Sequence, residues 1–140
     1  MGLILDTSLL IGQERRRFDL KGFLTSCIDE EISLTTITVS ELLHGAERAD
    51  SPERARRRHD SIQRLLENFA ILPFDLEQAR HHARVWADLE RRGQMIGPHD
   101  LLIAAAGLAL GHQVATLNAG EFQRVPGLNV IDASPFRIAQ

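Results

Sequence analysis

Short, strongly apolar runs alternate with longer amphipathic stretches along this chain, and that alternation sets its elements. Leu3-Ile4-Leu5 followed by Asp6-Thr7-Ser8 predicts a buried strand running into a helix start, because all three polar side chains can satisfy free backbone N–H groups. A helix is expected over about Leu20 to Asp29, with Phe23, Leu24, Cys27 and Ile28 on one face. Ile32 to Thr36 is β-branched enough to be the next strand. Thr38-Val39-Ser40-Glu41 then matches a capping box, and Leu42, Leu43 and Ala46 carry an amphipathic helix towards Arg48. Ser51 as cap and Pro52 at the first helical position open a helix that runs to about Asn68. Ala70-Ile71-Leu72 makes a short strand stopped by Pro73. Asp75 caps a helix with Ala79, His82, Ala83, Trp86 and Leu89 on its inner side, which Arg91-Arg92-Gly93 ends.

Gly97-Pro98-His99-Asp100 opens the most apolar helix, through Leu110 to Gly111, and a central position is expected for it because almost no polar residue interrupts it. Gln113 to Leu117 and Leu128 to Ile131 are the last strands, separated by a helical turn at Glu121-Phe122 and a Pro126-Gly127 turn. Strands alternating with helices imply an α/β three-layer sandwich with a mainly parallel central sheet.

Composition bounds this picture. With 140 residues, 15.7 kDa and 44% hydrophobic residues, the chain suffices for one well-packed core, so residues 1–140 are expected to form a single domain. The apolar stretch Leu101 to Leu110 falls far short of the roughly 20 residues a membrane span needs, and no basic segment precedes an apolar signal region, so no membrane association is expected. Cys27 is the only cysteine, which excludes an internal disulfide and suits a reducing compartment; the cytoplasm is expected. A net charge of −3 argues against coating nucleic acid through overall positive charge. Local charge differs: Arg15-Arg16-Arg17 and Arg54, Arg56, Arg57 and Arg58 form basic clusters, and Lys21 is the only lysine. The guanidinium fork suits phosphate, although solvated helix faces pairing with Glu14, Glu53 and Asp60 account for the same residues.

Four acidic or amide stations sit beside the apolar segments: Asp6, Glu41, Asp100, and Asn118 with Glu121. In an open parallel sheet the strand C-termini and the following helix N-termini share one edge, so these stations should converge there. Three converging carboxylates repel one another and raise their pKa values, and a bound cation removes that penalty. Oxygen donors favour magnesium over zinc. Asp6 and Asp100 are accordingly the main candidate ligands, Glu41 a group to hold a second ion or orient a metal-held water, and Asn118 or Glu121 the outer shell. Each station alone has a structural explanation: Asp6 as a helix cap, Glu41 as the third residue of a capping box, Asp100 as a complement to a helix dipole. Their joint occurrence, with Asp100 beside an inward-packing Leu-Ile-Ala run where a bare charge is costly, favours chemistry.

Other constellations carry less. The six histidines show no HExxH spacing and one cysteine cannot build a structural zinc site, so surface histidines are expected, with His99 near the acids. Gly107 to Gly111 is no phosphate loop and no Walker lysine exists, which argues against nucleoside triphosphate hydrolysis. Trp86 reads as core. A haloacid-dehalogenase-type phosphatase needs a second aspartate two positions after Asp6, where Ser8 stands.

With these residues in place the chain resembles the PIN-domain family, and within it the VapC-type toxins of bacterial toxin–antitoxin pairs. The likeness runs through Leu5-Asp6-Thr7-Ser8, Ser40-Glu41-Leu42-Leu43-His44-Gly45, Gly97-Pro98-His99-Asp100-Leu101-Leu102-Ile103-Ala104-Ala105, and Thr116-Leu117-Asn118 through Glu121-Phe122 to Val125-Pro126-Gly127-Leu128. The order and spacing of these segments together are specific. The resemblance implies a magnesium- or manganese-dependent endoribonuclease, a homodimer, inhibited by a cognate antitoxin. Asp6, Glu41 and Asp100 fall on the family's three core acids. The fourth station, often aspartate, falls on Asn118, with Glu121 the nearby acidic substitute. Such an enzyme hydrolyses RNA phosphodiesters with a metal-activated water. The departure at Asn118 keeps a second class open, a catalytically impaired module that holds RNA or protein without cutting.

Overall fold

The structure, a computed structural model, describes residues 2–139; Met1 and Gln140, the two ends of the expected domain, lie outside the described residues. Five strands form one sheet: β1 (Gly2–Leu5), β2 (Glu31–Thr35), β3 (Ala70–Leu72), β4 (Gln113–Thr116) and β5 (Val130–Asp132). Their order is β3-β2-β1-β4-β5, and every pairing is parallel. β1 is central, with Leu3 opposite Ile32 on one side and Gln113 on the other. The order reverses between β1 and β4, so the crevice where α/β folds bind ligands lies off the C-terminal ends of these two strands.

Helices α1 (Thr7–Glu14), α2 (Leu20–Ser26), α3 (Thr36–Glu47), α4 (Pro52–Asn68), α5 (Leu76–Arg92), α6 (Pro98–Leu110) and α7 (Ala119–Phe122) connect the strands. Period-2 alternation in β1 and β4 divides the apolar interior in two. Ile4 and Val114 face a core made with Val85 and Leu89 of α5 and Ile103, Ala104 and Ala106 of α6. Leu3, Leu5 and Ala115 face the other core, with Leu9 and Leu10 of α1, Phe23 of α2 and Leu34. This is the three-layer α/β sandwich expected. Helix α6 is central as its composition requires, and Gly107 lets it approach the sheet: a Cβ there would stand 2.8 Å from Leu128 Cδ1 and 3.0 Å from Val114 Cγ2. Among the described residues no helix is long and apolar enough to cross a membrane.

Three local expectations are corrected. Helix α3 starts at Thr36, not at a Thr38–Glu41 capping box: Thr35 is the cap, its hydroxyl accepting the Thr38 N–H at 3.2 Å. Glu41 therefore lies well inside the helix, with its carboxylate released from any capping duty. Helix α2 stops at Ser26 rather than Asp29, leaving Ile28 78% exposed. On α5 the buried positions are Gln78, Val85 and Leu89, while Ala83 is exposed and Trp86 is 47% exposed, tilted against His82 with ring centroids 5.5 Å apart rather than inserted in the core. The helix is rotated because its apolar seam follows Val85 and Leu89 against α6, and the broad indole fits at the rim.

Candidate active site

Asp6 ends β1 at the switch point and is 1% exposed. It occupies the N-cap position of α1 but makes no capping hydrogen bond with its side chain. Its Oδ2 instead accepts the hydroxyls of Ser8 at 2.7 Å and Thr116 at 2.8 Å, while Oδ1 is buried without a hydrogen-bond partner. The two hydroxyls are themselves fixed. Ser8 Oγ accepts the Leu117 N–H at 3.1 Å, and Thr116 Oγ1 accepts the Asn118 N–H at 2.8 Å. Burial raises the Asp6 pKa above the ordinary carboxylate range, and the hydrogen bonds from Ser8 and Thr116 offset part of that rise.

Glu41 reaches the same region from α3. Its Oε1 accepts the Thr7 hydroxyl at 2.8 Å and its Oε2 lies 3.4 Å from His99 Nδ1. Thr7 has one hydroxyl proton, so the 2.9 Å contact between Thr7 and Thr38 is donated by Thr38. Buried Thr38 thus orients Thr7, which orients Glu41.

Asp100 comes from the first turn of α6. Its pKa is pushed up to about 7, first by burial, then by the charge of Asp6, by a side-chain hydrogen bond with Glu121, and by the charges of Glu121 and Glu41. One aspartate therefore feels the other three acids, which places Asp6, Glu41, Asp100 and Glu121 in one electrostatic unit. Asn118 stands apart: it is exposed, and its contact with the network is through its backbone N–H. Of the two candidates for the fourth station, Glu121 is the one brought against Asp100.

The arrangement fits a hard divalent cation. The donors are all oxygens, Asp6 Oδ1 is an orphaned buried acceptor, and an unpaired buried carboxylate costs several kcal/mol on the order given by ion burial. Among the described residues no three His, Cys, Asp or Glu side chains are drawn tightly enough to form an all-protein metal cage. A hard divalent cation held by one or two carboxylates with several waters does not require such a cage. The hydroxyls of Thr7, Ser8, Thr38 and Thr116 escaped the sequence reading, which took the first three for capping residues. Only the adjacency of Thr7 and Ser8 to Asp6 hinted at their part in the site.

A parallel 3-2-1-4-5 sheet with acidic side chains off its switch point is an α/β sandwich, and the chain belongs to the PIN-domain family, whose model, described as PIN domain, matches residues 3–128. Within that family it groups with proteins of VapC type. It is 34% identical over 134 residues to the Ribonuclease VapC1 of Rickettsia felis, covering 96% of this chain and 98% of that one. It is 31% identical over 118 residues to the tRNA(fMet)-specific endonuclease VapC of Salmonella typhimurium, covering 84% and 82%. The DNA-bound VapBC structure from Salmonella typhimurium superposes with a TM-score of 0.82 at 26% identity, over 94% of this chain and 97% of that one.

Proposed function

We propose that the protein is a metal-dependent endoribonuclease, the toxin of a toxin–antitoxin pair, acting in the cytoplasm as one nuclease domain spanning residues 1–140. The observation that carries this reading is the convergence of Asp6, Glu41, Asp100 and Glu121 at the β1–β4 switch point, with Asp6 Oδ1 left unpartnered. The names of the VapC relatives, ribonuclease and tRNA-specific endonuclease, support RNA as substrate, and the VapBC complexes among its structural neighbours support a cognate antitoxin.

Asp6 and Asp100 would hold magnesium or manganese, which supplies charge neutralisation at the phosphate and activation of a water. Asp6 Oδ1 is the pre-aimed donor, since Ser8 and Thr116 already occupy Oδ2. Asp100 must be deprotonated to serve as ligand, and its neighbours make that costly without a cation. Glu41, steadied by Thr7, orients the attacking water and accepts its proton at Oε2. Glu121 completes the outer shell through Asp100. A homodimer belongs to the same reading, and much of α6, the most apolar helix, is already buried within the monomer. Light scattering at micromolar concentration should give twice 15.7 kDa.

The deciding experiment pairs Asp6→Asn and Asp100→Asn with wild type. Both variants should keep the fold, lose RNA cleavage and growth arrest, and lose calorimetric uptake of magnesium or manganese. Undiminished cleavage by either folded variant contradicts the assignment. A wild-type protein that binds RNA but takes up no metal would favour the non-cutting module, for which the exposed Asn118 at a commonly acidic station is the motive.

A further inference from the structure

Helix α1 closes with an arginine in the left-handed region, and the consequence is a concentration of positive charge beside the acids. Arg16 has φ 58 and is the only non-glycine with positive φ among the described residues. It occupies the position after the helix cap where glycine is usual, because the Arg17 N–H returns to Gly12 O at 2.8 Å and the Arg16 N–H to Gln13 O at 3.1 Å. The turn sends Arg15 and Arg17 into one groove of about 600 Å³, which they share with Ser8, Leu117 and Arg137.

The C-terminal segment fixes the third arginine. Phe18 and Arg137 form an antiparallel bridge, and the Ile138 N–H bonds Arg17 O at 2.9 Å while the Asp19 N–H bonds Phe136 O at 2.8 Å. This backbone pairing holds Arg17 and Arg137 side by side. Among the described residues Arg15 and Arg17 make no ion pair or side-chain hydrogen bond. Arg137 donates to Leu117 O at 3.3 Å, and the exposed Asp132 and the half-buried Glu121 lie in the groove beside it. Some arginines on other helices are paired, Arg58 with Glu14 at 2.8 Å, Arg92 with Asp88 at 2.7 Å and Arg54 with Asp50 at 3.1 Å. Three guanidinium groups line one groove of a chain with net charge −3, two of them without a charged or hydrogen-bonding partner, and that grouping suits a polyanion.

The groove adjoins the acids through shared residues. Its wall includes Ser8, whose hydroxyl bonds Asp6, and it shares Leu117 and Arg137 with a neighbouring groove that contains Glu121, the partner of Asp100. We propose that Arg15, Arg17 and Arg137 form a phosphate track that seats the RNA strand leading away from the bond placed over Asp6 and Asp100. The proposal rests on the ribonuclease reading and names how that site holds its substrate. The arginines touch phosphates beyond the reacting one, so they set affinity and register rather than the chemical step.

Two variants test it, Arg15→Gln with Arg17→Gln, and Arg137→Gln, against two controls on α4 of matching charge change, Arg56→Gln with Arg57→Gln for the double variant and Arg56→Gln alone for the single one. For each, kcat and KM are measured on bulk tRNA, and binding to a single-stranded oligoribonucleotide is measured in EDTA across a salt series. The track variants should raise KM about tenfold with kcat within about twofold, and lower the slope of log affinity against log salt by about 0.7 per arginine removed, while the controls change neither. Unchanged KM and slope, or equal losses in the controls, overturn the track. Intact RNA binding with weakened inhibition by the purified antitoxin would make the groove a protein contact and also overturn it. If the wild type cleaves no RNA, the ribonuclease reading fails by itself, and the EDTA binding series still decides whether these arginines hold a phosphate chain.

Discussion

Thr116 donates its hydroxyl to Asp6 Oδ2 at 2.8 Å across the β1–β4 boundary, while Thr116 Oγ1 itself accepts the Asn118 N–H at 2.8 Å. The strand end thereby sets both the rotation of the Asp6 carboxylate and the start of α7, which carries Glu121. Saturating Oδ2 in this way leaves Oδ1 as the open acceptor, so a residue outside the set of acids decides which oxygen faces a cation.

Thr116→Val tests that division. The substitution keeps the shape while deleting the hydroxyl, leaving Asp6 with Ser8 alone and the Asn118 N–H without its acceptor. Magnesium affinity and kcat/KM on RNA should each fall about 10- to 100-fold, the range for outer-shell partners of a metal site. Stability should fall by about 1–3 kcal/mol from the unsatisfied N–H. Calorimetry and a urea melt read the two effects separately, and unchanged metal affinity would mean that Ser8 suffices to orient Asp6.

The fourth station is decided by comparing Glu121→Gln with Asn118→Ala. Glu121 hydrogen-bonds Asp100 and adds to its charge environment, whereas the Asn118 side chain is exposed. Glu121→Gln should lower kcat/KM at least about tenfold. Asn118→Ala should stay within about threefold of wild type, well under the roughly tenfold that 1.4 kcal/mol represents. The reverse ranking would return the station to Asn118.

These comparisons also mark what the sequence could reveal. Strand and helix positions were legible because each apolar run is bounded by strong punctuation: Pro52 and Pro98 at helix starts, Gly93 and Gly111 at φ 64 and 66 at helix ends. The meeting of Asp6, Glu41 and Asp100 is expected from strand-end positions in a parallel sheet, but only Asp6 sits at a strand end: Glu41 lies inside α3, and Asp100 opens α6, which follows helix α5. The choice between Asn118 and Glu121 was not legible, since it depends on the pitch of the short helix α7, which no periodicity specifies. Trp86 was misplaced because helical spacing identifies a stripe without saying which edge of it meets the sheet. The arginine groove was invisible because it joins Arg17 to Arg137 through a single bridge between segments far apart in the chain.

Arg16→Gly probes the strain that shapes that groove. An L-residue in the left-handed region costs roughly 1–2 kcal/mol, while glycine adds roughly 0.4–1 kcal/mol of unfolded-state entropy. The variant should therefore raise the unfolding free energy by up to about 1.5 kcal/mol, read as a higher urea midpoint with the m-value unchanged, and leave RNA affinity intact because Arg15 and Arg17 keep their places. A loss of stability would show that the Arg16 side chain makes contacts that outweigh its backbone strain.

The metal-free protein should be more stable in mild acid than at neutral pH, the opposite of proteins whose carboxylates are salt-bridged. Asp100 titrates near 7 when folded against an ordinary value of 3.8, so between these limits the folded state binds more protons than the unfolded chain. Its contribution is fully present below about pH 3.8 and is lost as pH rises through about 7; the raised pKa of Asp6 acts in the same direction. His82, whose pKa burial lowers from 6.5, works the other way as the solution is acidified below that value. The difference between wild type and Asp100→Asn removes the His82 contribution and isolates the acid pocket. In EDTA that difference should favour Asp100→Asn increasingly as pH rises from about 5 to 8, because asparagine stands for the protonated side chain. Millimolar magnesium should shrink or reverse the gap by binding only the wild-type carboxylates. Thermal melts across this range check both signs, and a flat difference in EDTA would mean that Asp100 is not crowded by Asp6, Glu41 and Glu121.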